Sequence, residues 1–181
     1  MGDIPITDLS ILEGIAEVAV SLTGFAGIVA TFQFREDSTP SSGQIVGLSI
    51  MVSTGLAGVF LSYLPFLLLS FTSDLSIVWP AASLVMILYM MWLMNFVHSH
   101  MRGKVNNPSA RVIFSLLQTV SALIVVLLIL NCTGYGLEPG IGPYLLGLLF
   151  GLFVVAVNFW RLLLLPLWKK HHAGKQTVTT E

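Results

Sequence analysis

Five apolar stretches, each long enough to cross a bilayer, constrain the fold of this chain more than any other feature. A helix rises about 1.5 Å per residue, so about 20 apolar residues cross a hydrocarbon core of about 30 Å. The sequence therefore predicts an all-α, polytopic integral membrane protein, a bundle of five transmembrane helices within residues 1 to 168, followed by a polar basic tail at 169 to 181. The predicted spans cover residues 12 to 33, 45 to 69, 76 to 97, 111 to 131 and 143 to 166.

Composition supports the bilayer as the solvent of this chain. Only 9% of the residues are charged and the mean hydropathy is +0.89, whereas soluble domains carry about 25% charged residues. The net charge of -1 argues against nucleic acid as a partner. The single cysteine, Cys132, excludes an intrachain disulfide.

The distribution of basic residues predicts the orientation in the membrane. All eight Lys and Arg lie near the end of the first, third or fifth span or in the segment that follows it, and such residues are retained on the cytoplasmic side. We therefore expect the N-terminus outside and the C-terminus inside. Four or six spans are the alternatives, and either would place both ends of the chain on the same side.

The first span carries two acids, Glu13 and Glu17, one helical turn apart. At about 100° per residue they share a stripe, called here the Glu17 face, with small and apolar residues. Because small residues mark close helix approach in membranes, we expect the glutamates to turn inward, toward another helix. The face consists of Glu13, Glu17, Val20, Ser21, Gly24, Gly27, Ile28 and Thr31.

Glycines on three spans predict helix packing, within this bundle or in an oligomer of it. Gly147 and Gly151 form a G-x-x-x-G motif on the fifth span. The lining of a cavity is the alternative role of such a stripe. The predicted packing positions are Gly24, Gly27, Gly47, Gly58, Gly147 and Gly151.

Polar residues in the spans fall into two layers by depth. Asn131 and Tyr144 are expected near the level of Glu13 and Glu17, as a candidate intramembrane polar or ion site. A second cluster is expected near the inner boundary. It comprises Asn95, Gln118, Asn158 and Arg161.

Known catalytic and cofactor motifs are missing from the sequence. It has no H-E-x-x-H, no Gly-rich phosphate loop and no nucleophile with a nearby base. His98 and His100, two residues apart, would point about 200° from each other on a helix and would not form a two-ligand metal site. We expect no catalytic residue, cofactor or metal, and an enzyme only if scattered residues such as Glu17, Asn131 and His98 assemble a site.

Two functional classes remain open. The first is a non-catalytic subunit or scaffold that associates with itself or another membrane protein through its small-residue faces. The second is a small transporter or channel in which the Glu17 carboxylate binds a proton or cation. In either class Glu17→Gln is expected to impair function more than Glu13→Gln, because Glu17 is the deeper acid.

The segment "EVAVSLTGFAGIVATF" resembles the opening helix of small uncharacterised multispanning bacterial inner-membrane proteins. The matching residues are Glu17, Gly24, Phe25 and Gly27, an acid followed after a short run by G-F-x-G. The resemblance implies a multi-pass protein of the plasma membrane, the bacterial inner membrane in this case. It implies no activity.

Overall fold

Five helices make up the part of the chain that the computed structural model describes, residues 6–36, 42–72, 74–101, 108–135 and 139–176. Each contains one stretch that is long and apolar enough to span a membrane. The prediction of an all-α bundle with five such helices is thus confirmed. The helices are α1 (Ile6–Glu36), α2 (Ser42–Leu69), α3 (Leu75–Met101), α4 (Pro108–Thr133) and α5 (Ile141–Gln176). Their apolar stretches are Ser10–Phe32, Ile45–Leu69, Leu75–His100, Phe114–Thr133 and Ile141–Arg161.

The last helix, α5, organises the bundle. It packs against all four others, and each helix also packs against its neighbour in sequence from α1 to α4. Within the described residues α1 and α4 do not touch, so the ring around α5 is open between them. As a result α1 packs on one side only, against α2 and α5.

The surface of the bundle carries many large apolar side chains. Large apolar side chains are exposed along every helix, including Phe25 (62%), Phe60 (59%) and Phe153 (55%). Soluble monomers rarely expose contiguous apolar surface on this scale. The exposed side chains fit a lipid environment, in which apolar surface needs no cover.

Most of the core lies at the end of the bundle where α4 turns into α5. There Tyr144 of α5 is fully buried in one apolar cluster with Leu12, Trp79, Met86 and Leu128, which come from the other helices. A smaller cluster forms farther along, where Ala26, Met51 and Val155 meet. The core therefore joins α1 to the bundle through the helix face that carries Leu12 and Ala26.

Two chain turns are fixed by local hydrogen bonds. Asp74 caps α3, since its Oδ1 accepts from the Ser76 Oγ–H at 2.7 Å and from the Ser76 N–H at 3.0 Å. These bonds, the side-chain one first, hold the pKa of Asp74 below its ordinary value. Gly134 ends α4 with φ of 67°, a left-handed conformation that only glycine adopts without strain, and its N–H bonds the Leu130 carbonyl at 3.0 Å.

Candidate functional site

The two glutamates of α1 lie on the outer surface of the bundle. Both are exposed, and no hydrogen bond or ion pair joins either carboxylate to another described residue. The expectation that they turn inward is therefore wrong for this chain by itself. Burial inside the bundle would take each carboxylate away from water and place it among mostly apolar side chains. A buried charge without enough donors is strongly destabilising.

Alanines occupy the buried side of α1 instead. They are as useful as glycine for close packing, because a methyl group still lets two helix backbones approach. The fully or almost fully buried positions of α1 are Leu12, Ile15, Ala16, Ala19, Ala26 and Ala30. This face is roughly opposite the Glu17 face, so burying the alanines directs both acids outward.

The whole Glu17 face is open. Its members are exposed from Glu13 to Thr31, and a Cβ placed on Gly24 or Gly27 would meet nothing within 4 Å. Six of the members recur at alternating intervals of four and three residues, the spacing with which one helix lies along another at a small crossing angle. These six are Glu13, Glu17, Val20, Gly24, Gly27 and Thr31.

The predicted packing glycines divide into two groups. Gly58, Gly147 and Gly151 lie at helix contacts within the bundle: a Cβ would come 3.6 Å from Ala19 at Gly58 and 3.7 Å from Thr54 at Gly151, and would overlap Met86 at Gly147. The other three make no such contact, since a Cβ on Gly24, Gly27 or Gly47 has open space around it. For these three, packing in an assembly stays a prediction.

Gly55 of α2, a glycine that was not predicted as a packing position, lies close against α1. A Cβ on Gly55 would overlap the Thr23 side chain, whose Oγ1 donates to the Ala19 carbonyl at 2.7 Å. Gly55 lies one turn before Gly58 on the same helix, so the G-x-x-G spacing was a usable signal. Gly55 and Gly58 of α2 thus contact the buried side of α1, not the Glu17 face.

Asn131 holds the α4–α5 connection to α3. Its Nδ2 donates to Ser83 Oγ at 2.9 Å and to the Gly140 carbonyl at 3.1 Å, while its Oδ1 accepts from the Gly140 N–H at 2.9 Å. Asn131 is fully buried. All three of these bonds join parts of the bundle, as expected for a buried amide, which needs hydrogen-bond partners.

Tyr144 completes the hydrogen bonding of α2, a helix that contains a proline. Pro65 lies within α2 and has no N–H, so the carbonyl four residues earlier, on Leu61, lacks its helical donor. The Tyr144 hydroxyl donates to that carbonyl at 2.5 Å. A proline and a tyrosine that are far apart in sequence thus form one structural unit.

The two predicted polar layers do not assemble into sites. Asn131 and Tyr144 are buried with their own partners, whereas Glu13 and Glu17 face outward. No described hydrogen bond or ion pair links the members of the inner cluster. Of these, Asn95 and Arg161 are exposed, Gln118 and Asn158 are half-buried, and Asn158 bonds its own helix at Val154.

A shallow cavity of about 400 Å³ lies near the C-terminal end of α3. Its described lining residues all belong to that one helix, and its wall includes the stacked rings of Trp92 and Phe96, whose centroids are 5.6 Å apart. Within the described residues no group of His, Cys, Asp and Glu is arranged to hold a metal ion. The lining is Trp92, Asn95, Phe96, His98 and Ser99.

Comparisons of the chain with protein-family models, curated proteins and solved structures found no match. The resemblance of the first span to bacterial inner-membrane proteins is thus supported only to the level of architecture. Five helices of spanning length with apolar outer surfaces define a polytopic α-helical membrane protein.

Proposed function

We propose that the protein is a non-catalytic subunit or scaffold of a membrane assembly, and that it joins the assembly through the Glu17 face of α1. The observation that carries the proposal is the exposure of this entire face, two carboxylates included, within a stretch of α1 that is apolar enough to span the bilayer. A plasma membrane is the setting we propose for it.

The free-energy cost of a charged side chain in lipid favours a helix that covers the Glu17 face. A charged side chain near the centre of a span costs about 2.5–3.5 kcal/mol in lipid, less toward the interface. Glu17 lies seven residues into the span that begins at Ser10, about 10 Å along the helix. A neighbouring helix would remove Glu17 from lipid and would gain close backbone contact at Gly24 and Gly27.

Transport through this chain alone receives no comparable support. A proton or cation route needs its carboxylate beside a hydrated passage, and Glu17 lies on the outside of the bundle. The described cavity, beside Trp92 and Asn95, lies near the opposite end of the helix bundle from Glu17. A transport role therefore requires that a partner helix complete the passage.

The proposal is tested by the native mass of the protein, gently extracted from its own membrane, with and without Gly24→Leu. Leucine at this open position has room in the isolated bundle but fills the Glu17 face. We expect the wild-type complex to have a mass well above that of one 19.7 kDa chain with its bound lipid. The Gly24→Leu variant should lose most of the additional polypeptide mass.

The matched control is Gly142→Leu, which places the same side chain at an exposed glycine of α5 where a Cβ also meets nothing. It should retain the wild-type mass. A wild-type protein that runs as a single chain, or an assembly that persists unchanged in Gly24→Leu, would contradict the proposed function.

A further inference from the structure

The charge on the Glu17 face restricts what can cover it. Both of its ionisable side chains are acids, and no hydrogen bond or ion pair from a described residue of the chain satisfies either. In lipid, charged side chains are paired with one another or with strong donors. A covering helix that offers only apolar side chains would bury the carboxylates without compensation.

A second copy of this chain offers no such compensation. The main apolar cluster joins the N-terminal ends of α1, α3 and α5 to the C-terminal ends of α2 and α4. Within the described residues, none of these helix ends, which lie on the same side of the bundle as Glu17, carries a Lys or Arg. Copies inserted in one orientation would pair α1 with α1 about a two-fold axis. That pairing sets Glu13 and Glu17 against the same acids of the copy, and like charges disfavour it.

The shape of the face also restricts its occupant. Beyond the acids the spacing of four and three residues continues through Gly24 and Gly27 to Thr31, and both glycines are uncovered. One helix can lie along the full length of this face in close backbone contact. The occupant is therefore a helix that is polar at the level of the acids and apolar or small beyond them.

We propose that the Glu17 face binds a transmembrane helix of a different membrane protein, and that this helix carries a Lys or Arg at the level of Glu17. The inference rests on the proposed function and names the chemistry of the partner. The basic side chain pairs with Glu17, while Glu13, nearer the end of the span, is satisfied at the interface. Past this pair, the partner helix packs on Gly24 and Gly27.

Synthetic helices provide the probe. The full-length protein is placed in nanodiscs with labelled 23-residue Leu/Ala peptides that differ at one position, and binding is followed by energy transfer. One peptide has Lys seven residues into its apolar stretch, matching Glu17; a second has Leu there; a third has Lys near the far end. We expect the first to bind about tenfold more tightly than the other two, the scale of a favourable polar contact between membrane helices.

Variants of the protein then assign the effect to the ion pair. Glu17→Gln should remove the tenfold preference for the matching Lys, and Glu13→Gln should reduce it by less than about threefold, because Glu13 lies closer to the aqueous boundary. Glu17→Lys should reverse the preference in favour of a peptide with Glu at the matching position. A role of Glu17 in folding alone would not produce this reversal.

The outcomes separate the inference from the proposed function. Equal binding of the Lys and Leu peptides, or a preference that survives Glu17→Gln, overturns the basic partner even if the native assembly contains a foreign subunit. A native homodimer dissolved by Gly24→Leu also overturns it and leaves association through this face intact. Failure of every peptide to bind, together with a monomeric native protein, overturns both.

Discussion

Asn131→Leu is expected to lower the free energy of unfolding by about 2–4 kcal/mol, the scale of leaving several buried polar groups unpaired. The substitution is close in size, so packing changes little, but it removes the three hydrogen bonds to Ser83 and Gly140. The Gly140 N–H then lacks its side-chain acceptor at the start of α5. The measurement is reversible unfolding in mixed micelles, followed by helix content.

The control for this variant is Asn158→Leu. Asn158 is half-buried and its Nδ2 bonds only the Val154 carbonyl of its own helix, at 2.8 Å. Its loss should change stability by less than about 1 kcal/mol, since that carbonyl already accepts a backbone bond. Equal effects of the two variants would show that the link from Asn131 to Gly140 does not stabilise the bundle.

Tyr144→Phe is the second variant with a large expected effect, a loss of about 1–3 kcal/mol. The hydroxyl donates to the Leu61 carbonyl, which Pro65 leaves without a helical donor. In the Pro65→Ala background the restored N–H of residue 65 can satisfy Leu61, so Tyr144→Phe should cost less than about 1 kcal/mol there. The double-mutant cycle compares the four unfolding free energies.

Tyr63→Phe provides the matched control for the loss of a hydroxyl. Tyr63 lies on the same helix as Leu61 but is 50% exposed, so its substitution should leave stability nearly unchanged. If Tyr144→Phe costs the same in both backgrounds, the tyrosine does not serve the carbonyl that the proline leaves free.

The architecture was predictable because length and hydropathy determine it. An apolar stretch in lipid must satisfy its own backbone, so a helix is the only economical structure and its ends follow the polar connectors. The predicted second span, 45 to 69, has the same bounds as the apolar stretch Ile45–Leu69 of α2, and the apolar stretches of the other helices differ from their predicted spans by a few residues at their ends. Orientation follows from a separate rule on basic residues and stays a prediction.

The face of α1 that is buried was not predictable in the same way. Glycine, alanine and serine are all small, and α1 has such residues on both of its sides, so the pattern alone did not distinguish Ala19 and Ala26 from Gly24 and Gly27. The residues of α2 that lie opposite α1 determine which face of α1 is buried. Gly55 and Gly58 of α2 receive Thr23 and Ala19, which a single helix pattern does not contain.

The sequence identified the residues that make the buried polar contacts, but not their hydrogen-bond partners. Asn131 and Tyr144 stand out as polar groups in apolar spans, and both are fully buried. Asn131 bonds the Ser83 hydroxyl and the main chain of Gly140, and Tyr144 bonds the Leu61 carbonyl one turn before Pro65. The positions of these partners depend on how the helices pack. Pro65 was the available signal, because a proline inside a span always frees a carbonyl one turn earlier.

A photocrosslinking scan along α1 in the native membrane tests directly whether the Glu17 face is covered. A photoreactive residue replaces, one at a time, Val20 and Ile28 on the Glu17 face and Val18 and Phe25 on the exposed apolar flank, all four of them exposed. We predict strong crosslinks to one polypeptide from Val20 and Ile28, and lipid adducts from Val18 and Phe25. Lipid adducts from all four positions would contradict the claim that the Glu17 face is the surface through which this protein assembles.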